Sequence, residues 1–248
     1  MDFRKERLNI TRVSYKSRGS LLEGLIFGPN KSGKSRGSGV VFIHGHESSA
    51  WDSSSLGYLL RAEGFAAFLP SQMGYGLSEG SSDYCGPKTV QGILDGIRFF
   101  RKQHFVNSEK LGVWGISRGA VVASLIVTQE PKLFKVAVFQ SGVYEMKLNF
   151  KTTKIQGIRD TIRREAGRSE KVFRERSSIY NMDELSCPVL ILHGGNDERI
   201  LPEQAKMLDK KLTQLGKEHK TIILKDQGHY LTKLTKDTYT IPFLKRYL

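Results

Sequence analysis

Cysteine is scarce in this chain. Its 248 residues hold two, Cys85 and Cys187, with no CxxC pair and no histidine cluster beside either. A disulfide framework and a zinc site are therefore not expected, and both thiols read as plain core or loop residues. Long hydrophobic runs are also missing, since no stretch reaches the roughly eighteen apolar residues of a membrane span. The opening MDFRKERLNI is charged where a secretory signal would be apolar. A soluble, cytoplasmic protein with no membrane partner is expected. Acidic residues are in deficit: 25 Asp and Glu face 39 Lys and Arg, a formal net charge of +14. Such a balance attracts nucleic acid, anionic surfaces and acidic substrates. The densest basic block, RDTIRREAGRSEKVFRER from Arg159 to Arg176, is interrupted by Asp160, Glu165, Glu170 and Glu175 in a helix-like pattern. With no nucleic-acid motif beside it, the block reads as a solvated helix face, and no nucleic-acid partner is expected.

GPNKSGKS, Gly28 to Ser35, matches a phosphate-binding loop letter for letter. That loop works by leading into a helix whose N-terminus faces the anion. Here RGSGVVFIHG follows, and Val40 to Ile43 form a short β-branched run, which is a buried strand. With LLEGLIF before it as a second strand, the Gly, Lys, Ser and Pro-rich stretch is expected to be an exposed hairpin loop, with no role for Lys34 in nucleotide binding.

The rest of the chain alternates, with no internal repeat or low-complexity tract. LNITRVSYKS and LLEGLIF read as an antiparallel pair. Strands GVVFIHG, FAAFLP, LGVWG and KVAVFQSG then alternate with helices near 53–63, 89–103 and 118–128. In the second helix Val90, Ile93, Leu94, Ile97 and Phe100 make one buried stripe. After an interruption over about 143–186 come strand PVLILHG, helix 202–215, strand KTIILK and a final helix. Helical crossovers between strands imply an α/β fold in one domain over 1–248, with a mainly parallel central sheet and helices on both faces. The interruption reads as a short lid insertion, with Ile155, Ile158 and Ile162 on one helical face among arginines. Reacting groups in such sheets lie on loops at the carboxyl ends of the strands.

Those loops carry a constellation. GISRGA, Gly115 to Ala120, is a G-x-S-x-G between a strand and a helix, the setting in which a tight turn exposes the serine. Asp197 follows strand PVLILHG and His229 follows strand KTIILK, completing the Ser, Asp, His order of the α/β-hydrolase fold. Serine needs an imidazole to take its proton, and the imidazole needs a carboxylate to fix its tautomer. Ser117 is thus the candidate nucleophile, His229 the base and Asp197 the acid, with Glu198 and Asp226 as competing carboxylates. The N–H groups of Arg118 and His46 are the candidate oxyanion donors. His44 and His193, each opening an HG at a strand end, read as hydrogen-bonding scaffold. The Arg118 side chain is expected to pair with Glu47 or Asp52, with an anionic substrate group as the alternative. Tyr75 and Tyr84 fall within reach of the pocket.

From VVFIHGHESS through GYGLSEG, LGVWGISRGA, VFQSGVY, PVLILHGGNDERILPEQA and DQGHYL, over roughly residues 20 to 248, the chain resembles the catalytic domain of the prolyl oligopeptidase (S9-like) branch of α/β hydrolases. The resemblance implies that Ser117, Asp197 and His229 are the triad and that His44, Gly45 and His46 form the oxyanion loop. His46 stands where the family usually has a small residue, and the β-propeller of the large oligopeptidases is not expected. The expected function is a cofactor-free, metal-free serine hydrolase that cuts carboxylic esters of small acyl substrates through an acyl-enzyme. The alternatives are an S9-like peptidase on short peptides and, in another class, a non-catalytic binding protein of the same fold. The basic insertion is expected to favour substrates that carry negative charge.

Overall fold

The structure, a computed structural model, describes residues 10–29 and 36–248. Among the described residues, eight strands form one sheet in the order β1-β2-β4-β3-β5-β6-β7-β8. β1 (Ile10–Ser17) and β2 (Ser20–Phe27) are the antiparallel pair at one edge, and β2 runs antiparallel to β4 (Ala66–Pro70). From β4 onward all neighbours are parallel: β3 (Gly37–Ile43), β5 (Val106–Ile116), β6 (Val136–Gln140), β7 (Val189–Gly194) and β8 (His219–Leu224).

The central strands are apolar throughout because both faces of the sheet are covered. Along β3, Val41 and Ile43 enter one core while Val40 and Phe42 enter the other. The first core is closed by α2 (Pro87–Arg101), α3 (Arg118–Gln129) and α7 (Glu203–Gln214), the second by α1 (Ser54–Ala62) and the helical residues 233–247. The stripe predicted on α2 is buried at all five positions. Between β6 and β7 the chain makes α4 (Met146–Thr152), α5 (Gln156–Glu165), α6 (Glu170–Glu175) and a 3-10 turn, Ser178–Glu184.

One expected local arrangement differs. The segment after β2 leads into strand β3, as predicted, but the two strands do not form a hairpin, because β4 lies between them. β3 finds its partners in β4 and β5, where both of its apolar faces are buried, and β2 caps β4 from the other side. Of the phosphate-loop-like run, Gly28 and Pro29 are described, and residues 30–35, Lys34 among them, lie outside the described residues. The described element that follows is strand β3, and a strand offers no helix N-terminus to an anion.

Candidate active site

Three loops at the carboxyl ends of β5, β7 and β8 meet in one place. Ser117 stands between β5 and α3 with φ 54° and ψ −121°, a backbone conformation that L side chains rarely adopt. The flanking glycines make this turn possible by close approach. A Cβ on Gly119 would overlap the carbonyl oxygen of Ile43 at the end of β3, and one on Gly115 would overlap the backbone of Gly119. The turn therefore packs directly against the neighbouring strand and lifts the hydroxyl above the sheet.

Ser117 Oγ lies 2.9 Å from His229 Nε2, and His229 Nδ1 lies 2.7 Å from Asp197 Oδ2. The structure thus brings together all three residues that the sequence singled out, whereas the competing Glu198 and Asp226 are exposed. Asp197 is buried, and its Oδ1 accepts from the N–H groups of Arg199 and Ile200. Burial opposes its ionisation, but hydrogen bonds from His193 and His229 outweigh that and hold its carboxyl well below the usual carboxylate range. His193 was expected to be scaffold. It is fully buried, with Nε2 2.8 Å from the Ile200 carbonyl and 3.3 Å from Asp197 Oδ2, so it braces the same carboxylate oxygen that His229 meets.

The Arg118 N–H opens α3, where no carbonyl one turn back is available to it. The loop His44–His46 runs alongside, and a Cβ built on Gly45 would sit 3.5 Å from the Ser117 Cβ. His44 is buried, with Nε2 accepting from the Gln72 N–H at 2.9 Å and Nδ1 2.7 Å from the Gly45 carbonyl. Those partners fit a neutral imidazole protonated on Nδ1, and burial pushes its pKa down to about 4. The bulky His46 side chain turns aside to Tyr75, whose hydroxyl lies 2.9 Å from its Nδ1.

The Arg118 side chain pairs with neither Glu47 nor Asp52. Its guanidinium is buried and reaches Glu165 of α5 at 2.9 Å, the Tyr75 hydroxyl at 2.7 Å and the Ser82 hydroxyl, with the Tyr75 and Tyr84 rings stacked against it. Sequence spacing could not find Glu165, which comes from α5, 47 residues away. The only sign was that Glu165 interrupts the basic block. Arg176 corrects the reading of that block. It is 4% exposed, not solvated, and donates to the backbone carbonyls of Asp83, Tyr84 and Val172.

A cavity of 240 Å³ opens beside Ser117 and His229. Val121 and Val143 line it from the core, and Met146, Asn149, Ile155 and Ile158 of the segment after β6 line it from above. Tyr84 is on its wall, as expected, and Arg199 and Glu47 are at its exposed edge. The arrangement can hold an acyl group against an activated hydroxyl in a mainly apolar cavity. Among the described residues no helix is long and apolar enough to cross a membrane.

The chain is similar to known proteins along most of its length. It is 23% identical to the uncharacterized peptidase YtmA of Bacillus subtilis, over 91% of this chain and 88% of that one. It is 22% identical to the inactive dipeptidyl peptidase 10 of Rattus norvegicus, over 60% of this chain and 18% of that protein. Among solved structures, the Pyrococcus horikoshii acylaminoacyl peptidase superposes with a TM-score of 0.79 at 22% identity, covering 99% of this chain and 41% of that chain. Porphyromonas gingivalis dipeptidyl peptidase 4 superposes with a TM-score of 0.80 at 17% identity, covering 98% and 36%. These structures share the α/β-hydrolase fold with this chain, which spans about two fifths of their length. The family model of the prolyl oligopeptidase family matches residues 51–248, and with that match this chain, a serine hydrolase, belongs to the prolyl oligopeptidase family.

Proposed function

We propose that the chain hydrolyses acyl bonds of short peptides, and the corresponding esters, through an acyl-enzyme on Ser117. The observation that carries this is the continuous hydrogen-bond path from Ser117 Oγ through His229 to Asp197 at the mouth of a mainly apolar cavity. His229 takes the proton as Ser117 attacks and returns it to the leaving group. Asp197 keeps Nδ1 protonated and stabilises the imidazolium. The N–H groups of Arg118 and His46 hold the tetrahedral oxyanion. The helices after β6 act as a lid, since Met146, Asn149, Ile155 and Ile158 close the cavity over the acyl group. The ester expected from the sequence gives way to the peptide as the main reading, because peptidases named as such dominate the relatives. The small cavity favours short substrates.

A binding protein without turnover is the competing reading, and one relative is itself called inactive. The geometry favours turnover, because Ser117 and His229 are in hydrogen-bond contact with the base already oriented. The test is fluorophosphonate labelling, followed by kcat/KM on matched N-acyl amino-acid esters and peptide amides. We expect labelling of Ser117, abolished in Ser117→Ala, with measurable turnover of short peptide amides. Absence of labelling rejects the hydrolytic reading, and ester turnover without any amide turnover returns the function to an esterase.

A further inference from the structure

We infer that Asn149 is a specificity-determining residue, which hydrogen-bonds the neutral polar tip of an otherwise apolar acyl side chain seated in the cavity beside Ser117. The inference rests on the acyl-enzyme reading above and names the class of acyl group that it serves. Asn149 is 2% exposed and lines the cavity from α4. Its backbone is satisfied within the helix and its cap, with its N–H donating to the Glu145 carbonyl and its own carbonyl accepting from Thr153. Its side chain is the exception, because Nδ2 is buried with no hydrogen-bond partner among the described residues. A buried amide left without a partner is costly, and native structures rarely retain one without a reason.

The surroundings point to a ligand as the missing partner. Of the described residues that line the cavity, only Asn149 and Arg118 carry such an orphaned side-chain atom. The Arg118 guanidinium is already held by Glu165, Tyr75 and Ser82, whereas the Asn149 Nδ2 has no partner among the described residues. Next to it the walls are Val121, Val143, Met146, Ile158 and Ile200, which suit a methylene chain or an aromatic ring. The helix that carries this amide is anchored at its start. Gln204 of α7 accepts from the N–H groups of Tyr144 and Glu145 and donates to the Glu145 carbonyl, while the Glu145 carboxylate caps α4 at the N–H groups of Lys147 and Leu148. A neutral amide in an apolar pocket rewards a group that can both give and take a hydrogen bond. It cannot compensate the desolvation of a carboxylate or an ammonium. The chemical class is therefore an acyl residue of the glutamine or tyrosine kind, polar and uncharged at its end, and neither purely aliphatic nor ionised.

The test compares kcat/KM for N-acyl amino-acid esters in two matched pairs, glutaminyl against leucyl and tyrosyl against phenylalanyl, with a glutamyl ester as the charged control. The wild-type chain is expected to favour the polar-tipped member of at least one pair roughly tenfold or more and to turn over the glutamyl ester poorly. Asn149→Leu should abolish or reverse that preference, and the near-isosteric Asn149→Asp should abolish it while keeping the volume. The inference is overturned if the wild type favours the apolar member of both pairs, if glutamyl matches glutaminyl, or if Asn149→Leu keeps the wild-type ratio. The wild-type ratios decide the matter even if a variant does not fold. Fluorophosphonate labelling of Ser117 in the same wild-type preparation separates the two readings. Labelling with no preference overturns this inference alone, whereas no labelling overturns the hydrolase reading beneath it.

Discussion

At Ser117 the backbone sits at φ 54°, ψ −121°, and a conformation of this kind costs on the order of 1–3 kcal/mol for a residue with a Cβ. The strain persists because Gly119 is wedged against Ile43 and leaves the turn no room to relax. Ser117→Gly and Ser117→Ala should both lose turnover by roughly 10³-fold or more, but the glycine variant alone relieves the backbone. Urea unfolding should find it more stable than the alanine variant by about 1 kcal/mol, and equal stabilities would reject the strained turn. His44 makes a second test at this scale. Burial depresses its pKa from 6.5 to about 4, so on acidification the unfolded chain takes up a proton that the folded imidazole refuses. Stability is therefore full above about pH 6.5 and falls as pH drops toward 4, by up to about 3 kcal/mol from this residue. His46, depressed by burial and by Arg118, acts in the same direction. His44→Gln, whose side-chain oxygen can still accept from the Gln72 N–H, should flatten the stability-against-pH slope in that window without abolishing it. An unchanged slope would show that His44 is already charged in the folded state.

The elements that surround the site divide into those readable from local pattern and those that are not. α2 was legible because its stripe of Val90, Ile93, Leu94, Ile97 and Phe100 has the period of a helix with one buried face, and burial follows period directly. The turn at Ser117 was legible because glycine spacing reports backbone crowding. Arg176 was not, since a basic residue at the end of a charged helix looks the same in sequence whether water or a carbonyl cluster receives it. Here it fastens the end of α6 to the loop that precedes α2. Tyr84 and Cys85 in that loop hold left-handed conformations at φ 47° and 60°, and the Asp83 carboxylate caps α2 through Gly86, Lys88 and Thr89. The same loop carries Tyr84 onto Arg118. Arg176→Lys keeps the charge but replaces a planar fork by a single ammonium, which cannot reach all three carbonyls at once. Leaving buried carbonyls unpaired should lower stability by about 2 kcal/mol, and thermal unfolding would measure it. The same variant should raise KM more than it lowers kcat, because Ser117, His229 and Asp197 stand on other elements. A stability within about 0.5 kcal/mol of wild type would mean that the loop keeps its shape without the guanidinium.

At the scale of the whole molecule, the order of strands and helices was legible because each crossover has to return on the covered side of the sheet, and that order alone delivers Ser117, Asp197 and His229 to one edge. What stayed hidden was lateral: β4 entering between β2 and β3, and Glu165 reaching Arg118 from α5. Both depend on partners distant in sequence, on which local periodicity is silent. The Glu165 pairing also redirects the argument about charge. Arg118 is neutralised inside the site, so the net charge of +14 is expected to act on substrates from outside the cavity. Arg199, exposed at the cavity edge with its guanidinium over the Tyr230 ring, is the cation best situated to do so. A substrate whose carboxylate lies on the leaving-group side, outside the cavity, should be drawn in by this field, while its neutral counterpart is not. Raising salt from about 0.02 M to about 0.5 M shortens the screening length from some 20 Å to about 4 Å. It should lower kcat/KM for the anionic substrate roughly threefold to tenfold and leave the neutral one nearly unchanged. Arg199→Ala should remove part of that salt dependence while leaving fluorophosphonate labelling of Ser117 intact. Identical salt curves for the two substrates would show that the basic surface has no part in substrate capture.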